Sequence, residues 1–200
     1  MDSVVRFIER RMRLKVNTAK SAVARPEERH FVGFSLRREP LDGDVGVILS
    51  KRSKERIDAR IVDLTPRNWG GSLISCIRRL NEYLTGWLGF FLQCSPKVEM
   101  TLGSLDAHIR RRLRALKLQQ WKSKLIRARK LIALGMKARA VWRTIYGGRK
   151  SIWVLSHTPV VDRALHNAYF AECGLVSLRQ RFRNHLELLL APAQLSLALG

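Results

Sequence analysis

The sequence predicts a mostly α fold with a small β-hairpin-containing piece at its start. Three observations predict it. Apolar alternation is confined to HFVGFSL (30–36) and VGVILS (45–50), on either side of a Leu41-Asp42-Gly43-Asp44 turn. From Ser53 onward the apolar period becomes helical, with serine caps and glycine or proline stops. Finally, residues 107–161 contain no Asp or Glu but 15 Lys or Arg. Such one-sided charge suits a folded basic surface better than a core.

The elements follow in order. Val5, Ile8 and Met12 share one helical face near the N-terminus. LKVN (14–17) reads as a short strand and 17–29 as a loop, before the two strands of the hairpin. Ser53 is positioned to cap a helix through Ile57, Ile61 and Leu64, which Pro66 ends. Ser72 caps a second, whose face is Ile77, Leu80, Leu84, Trp87, Leu88 and Phe91. Gly86 and Gly89 inside it each cost about 1 kcal/mol relative to alanine, so a close approach by another backbone is expected there.

A third helix spans roughly 101–122, with Leu102, Leu105, Ile109, Leu113 and Leu116 inward and Arg110, Arg114 and Lys117 on another face. A fourth covers 123–134 with Gly135 as C-cap. The fifth, 137–146, stops at Gly147-Gly148. A sixth starts at Thr158-Pro159 and runs to about Glu172. The first 50 residues are too few for a core of their own, whereas some 130 helical residues follow.

Charge narrows the partner. Net charge is +22, of which residues 107–161 carry +15. The 106 residues before them hold 19 basic and 13 acidic groups, and the last 39 hold 4 and 3. Like charge held together favours a polyanionic partner, commonly nucleic acid. At 46% hydrophobic residues the chain is too apolar for a disordered basic tail. Neither a leader peptide nor a run of about 18 apolar residues is visible, so a soluble, cytoplasmic protein is expected.

Most chemistry is disfavoured. Cys76, Cys94 and Cys173 form no CxxC pair and read as ordinary thiols of a reducing compartment. His157, His166 and Cys173 would make an odd zinc set, so no metal and no cofactor are expected. A two-metal phosphoryl-transfer site needs convergent carboxylates, and the basic stretch has none. No catalytic residue is therefore assigned. Trp121, Trp142, Tyr146 and Trp153 stand among Lys and Arg, either as core anchors or as platforms for unpaired bases.

Longer motifs carry a resemblance. LKVNTAKSA (14–22) followed by HFVGFSL (30–36) resembles the end of the palm of group II intron reverse transcriptases. IRRLNEYLTGWLGFF (77–91) and LDAHIRRRLRALKLQQWK (105–122) resemble that family's maturase-specific region. WVLSHTPVVDRALHNAYFAECGLVSL (153–178) resembles the C-terminal end of many bacterial members. The order and spacing of these motifs over roughly residues 1–180 make the match specific.

The resemblance implies a layout and a role. Residues 1–50 would be the palm-end remnant, 51–122 the thumb and maturase-specific domain, 123–180 a basic helical nucleic-acid-binding region, and 181–200 a divergent tail. Phe31, Val32, Gly33 and Phe34 would be a primer-grip-like element, and Lys20 the palm-end lysine near the incoming nucleotide. Val32 and Ser21 depart mildly from the usual leucine and threonine. The YADD box with its metal-binding aspartates is absent, as is a cysteine-rich endonuclease segment. The chain thus resembles a split or truncated C-terminal part.

Three readings follow. The chain is an RNA-binding maturase fragment stabilising folded group II intron RNA for splicing, without enzymatic activity of its own. Alternatively it completes a reverse transcriptase with a separately encoded fingers–palm chain, or it is a non-functional remnant. On the first, Arg110, Arg111, Arg112, Arg114, Lys117, Lys122, Lys124, Arg127, Arg129 and Lys130 carry the phosphate contacts. Group II intron RNA is then the partner, with target DNA a further one.

Overall fold

A computed structural model describes residues 2–17, 21, 25, 28, 30–38 and 45–198, with only the backbone from 192 onward. About two thirds of the chain is helical, with ten helices and a three-stranded antiparallel sheet among the described residues. This is the mostly α architecture with a small β-containing start. Lys20 and the 41–44 turn lie outside the described residues.

The first helix, α1 (Asp2–Arg11), has no buried residue. Among the described residues LKVN (14–17) forms no strand; the Leu14 N–H instead donates to Ile8 O at 3.3 Å. The HFVGFSL segment divides into β1 (His30–Phe31) and β2 (Phe34–Arg38), turning at Val32 and Gly33. β3 (Val45–Leu49) pairs with β2 from Phe34 opposite Leu49 to Arg38 opposite Val45. Ser95 ties β3 to the helices: it accepts from Val47 N at 2.7 Å and donates its own N–H to Val47 O at 2.8 Å.

α2 (Lys51–Leu64) is capped by Ser50, whose hydroxyl accepts from Ser53 N. Ser53, expected as the cap, is instead buried and donates to Gly33 O at 2.7 Å. Ser72 does cap α3 (Leu73–Phe91), through Ser75 N. Every expected core residue of that helix is buried apart from the half-buried Trp87. Gly86 and Gly89 do not mark a close backbone approach: nothing lies within 4 Å of where their Cβ atoms would stand.

The centre of the molecule is α4 (Val98–Gln120), about 35 Å long at 1.5 Å per residue. It packs against α2, α3, α7 (Ile152–Leu155) and α10 (Leu178–Ala198). Leu102, Leu105, Ile109, Leu113 and Leu116 are buried along it. A second group joins α5 (Lys124–Ala133), α6 (Ala138–Tyr146) and α8 (Pro159–Ala164). Ser123 caps α5, and Gly135 after it takes φ +87, which the left-handed helix stop requires.

One expectation past residue 150 needs correction. The helix from Pro159 to Glu172 is broken into α8 and α9 (Asn167–Glu172), with His166 capping the second through Tyr169 N. The segment after Glu172 also holds a long helix, α10. It is capped from a distance: Asp106 of α4 accepts from Leu178 N at 3.0 Å, Arg179 N at 3.1 Å and the Ser177 hydroxyl at 2.6 Å. Asn81 pins the approach to it, donating to Gly174 O at 2.7 Å and accepting from Val176 N at 3.1 Å.

Candidate nucleic-acid interface

The acid-free stretch covers α5, α6 and α7, most of α4 and the start of α8. Lys122, Lys124, Arg129 and Lys130 are exposed around α5. Lys137, Arg139, Arg143, Arg149 and Lys150 are exposed on and around α6. The choice of site residues from sequence omitted these last five, although the same absence of carboxylates marks them. Arg110 and Lys117 are half-buried on α4.

The other arginines of the expected set are engaged inside the fold. Arg114 is buried; its Nε donates to Leu165 O at 3.0 Å and its Nη1 lies 2.7 Å from Asp162 Oδ1. Arg112 donates to Thr65 Oγ1 and to the carbonyls of Val62 and Thr65, closing the end of α2 onto α4. Arg127 donates to Leu118 O at 2.8 Å and Lys122 O at 3.2 Å, bracing the α4–α5 corner. Burial lowers the pKa of all three guanidinium groups from their ordinary value. A helical row of cations on α4 is therefore partly an internal row, because α4 is covered on several sides.

The aromatic residues divide in the same way. Trp121 is a core anchor, and Trp153 is half-buried under Arg111, whose guanidinium sits 4.0 Å from the ring centre. Trp142 and Tyr146 are 38% and 48% exposed, with ring centroids 5.3 Å apart. Lys124 reaches over Tyr146 at 5.6 Å. Both rings are partly open to solvent within the cationic surface.

The primer-grip-like residues also separate by environment. Phe34 packs against Phe90 and Phe91 at 5.4 and 5.1 Å between ring centres, docking the hairpin on α3. Gly33 takes φ +90, and a Cβ there would stand 2.8 Å from Ser53 Oγ. Phe31 and Val32 project outward, 82% and 59% exposed. Val32 has φ +49, an unfavourable conformation for a β-branched residue. A cavity of about 570 Å³ lies beside them, floored by Tyr83, Trp87 and Phe90 with Arg52 and Arg56 at hand.

Little else is available for chemistry. Among the described residues, no three His, Cys, Asp or Glu side chains gather as metal ligands. Burial pushes the thiols of Cys76 and Cys94 up to about 11, so both are poor nucleophiles. Among the described residues, no helix is long and apolar enough to cross a membrane.

A long central helix, a docked hairpin and a cationic flank free of carboxylates together make up a helical module with one strongly basic side. Residues 54–133, from within α2 to the end of α5, match the family described as group II intron, maturase-specific domain. No curated protein matches the chain.

Proposed function

We propose that the chain is an RNA-binding maturase module that holds group II intron RNA in its folded, splicing-competent form. The observation that carries this is the position of the exposed cations. Lys122, Lys124, Arg129 and Lys130 lie in or beside the last part of the maturase-specific domain, and those of α6 continue them without an intervening carboxylate. Phosphates are met by these side chains together with Arg110 and Lys117, while Trp142 and Tyr146 stack on unpaired bases. In this layout, residues 51–122 are the thumb and maturase region, 123–180 the basic binding region and 181–200 a tail. Target DNA is a further partner of the basic region, and the protein works in the cytoplasm. The intron RNA supplies the catalyst.

Equilibrium binding to intron RNA across a salt series tests the proposal. Neutralising about eight phosphates gives a log–log slope of about −6 to −7. A flat dependence, or equal affinity for bulk transfer RNA, overturns it.

A second reading is favoured by the docked hairpin, which presents Phe31 and Val32 beside an aromatic-floored cavity. In it, the chain completes a reverse transcriptase by joining a separately encoded fingers–palm chain. Co-purification and primer extension with such a chain distinguish this reading from the first.

A further inference from the structure

Two adjoining cavities lie where the α2–α3 loop meets α4. The first, about 400 Å³, is walled by Leu116, Ile152 and Trp153. Arg67, Asn68, Arg112 and Gln119 bring polar groups to it. The second, about 610 Å³, shares Arg67, Asn68, Leu116 and Gln119 and continues past Trp69 to Lys122. No acidic residue lines either cavity.

The walls are held in place. Trp153 stacks under Arg111 at 4.0 Å, and three hydrogen bonds to Thr65 and Val62 fix Arg112. After burial, the largest influence lowering the pKa of Arg112 is Arg67, a like charge close to it. An anion placed here would relieve that repulsion.

Each ligand class makes different use of these groups. A wholly apolar ligand would cover Arg67 and the amides of Asn68 and Gln119 without giving them partners, at a desolvation cost. A bare phosphate would leave the Trp153, Ile152 and Leu116 walls unused. A nucleotide engages all of them: the base lies on the apolar walls, its edges meet amides that both donate and accept, and its phosphates face the arginines. The volume falls within the range of about 300–1,000 Å³ typical of small-ligand sites.

We infer that this double cavity receives one unstacked nucleotide of an RNA strand, its base against Trp153 and its phosphates toward Arg67 and Arg112. The strand leaves along Trp69 toward Lys122. The inference rests on the reading of the chain as an RNA-binding module and names the RNA feature selected, a bulged nucleotide.

The test is binding of the full chain, at fixed salt, to a hairpin RNA carrying one bulged adenosine and to the same hairpin without it. The wild-type chain should prefer the bulged hairpin by about tenfold or more, as expected when one base gains a stacking partner. The cavity-filling Ala115→Trp should erase that preference, and Asn68→Ala and Gln119→Ala, at exposed positions, should each reduce it. Affinity for the perfect hairpin should stay within about twofold, because the exposed cations supply it. Equal wild-type affinity for both hairpins, or a preference surviving all three substitutions, overturns the inference alone. Binding of neither hairpin overturns the RNA-binding reading and the inference with it. Free adenosine monophosphate binding as tightly as the bulged hairpin would assign the cavity to a mononucleotide and overturn the RNA assignment.

Discussion

Arg114 and Asp162 close an ion pair of 2.7 Å between α4 and α8, and Asp162 is the first carboxylate after the 55-residue acid-free stretch. The carboxylate before the stretch, Asp106, is consumed as the cap of α10. The acids bounding the basic region are thus both committed to partners within the protein, Asp106 buried at the start of α10 and the half-exposed Asp162 on Arg114. Arg114→Ala should lower stability by about 2 kcal/mol, less than for a fully buried pair because Asp162 remains 57% exposed. Thermal melting would read the loss, while the salt slope of RNA binding should not move.

The exposed cations should behave in the opposite way. A combined Lys124→Ala, Arg129→Ala and Lys130→Ala variant should melt like the wild type. Its log–log salt slope for intron RNA should become shallower by about 2 to 3, close to one per lost phosphate contact. An unchanged slope would place the RNA elsewhere.

Trp142 and Tyr146 offer a sharper contrast. Replacing both with alanine should weaken binding to RNA with exposed loops by about 1–3 kcal/mol for each base that stacks. Binding to a fully paired hairpin should be much less affected. Parallel titrations with the two RNAs make the comparison.

Acid should destabilise the fold in two stages. Burial, opposed by Asp58 and aided by Arg112 and Arg111, holds the pKa of His108 below 6.5. The unfolded chain therefore takes up a proton that the folded chain refuses, and stability falls as pH drops below about 6.5. His108→Gln should flatten that first stage in a series of melting curves. Glu99 accepts from Arg179 Nε at 2.7 Å and also pairs with Arg183, which lowers its carboxyl pKa from 4.5. Its contribution is present above pH 4.5 and is lost as pH falls through the lower folded value, so Glu99→Gln should abolish this second stage.

Val32 should be improvable. Asparagine tolerates positive φ better than a β-branched residue, so Val32→Asn should raise stability by about 1 kcal/mol. Gly33→Ala should lower it, since its Cβ would press on Ser53 Oγ. Chemical denaturation of the two variants should show opposite shifts in midpoint.

How far the sequence could be read depended on whether the signals were local. The helical faces of α3 and α4 were legible because their leucines and isoleucines recur at 3.6-residue spacing. The Ser72 and Ser123 caps were legible because a serine hydroxyl reaches its own next turn. Ser53 was misread since Ser50, three residues earlier, takes the capping position and leaves Ser53 free to hold Gly33. The break at Leu165 and His166 was missed, although His166 as a side-chain cap was a local cue.

The chain by itself determined the helical body, the hairpin and the net charge of its basic flank. These follow from periodicity, capping chemistry and composition, all of which act over a few residues. Only the tertiary structure decided which cations face outward and which brace the interior. It alone brought Asp106 to the start of α10, 72 positions away from Leu178, and set Arg67 and Trp153 around one cavity. The physical reason is that burial and long-range capping depend on which neighbour covers a helix face, and residue spacing carries no record of that neighbour.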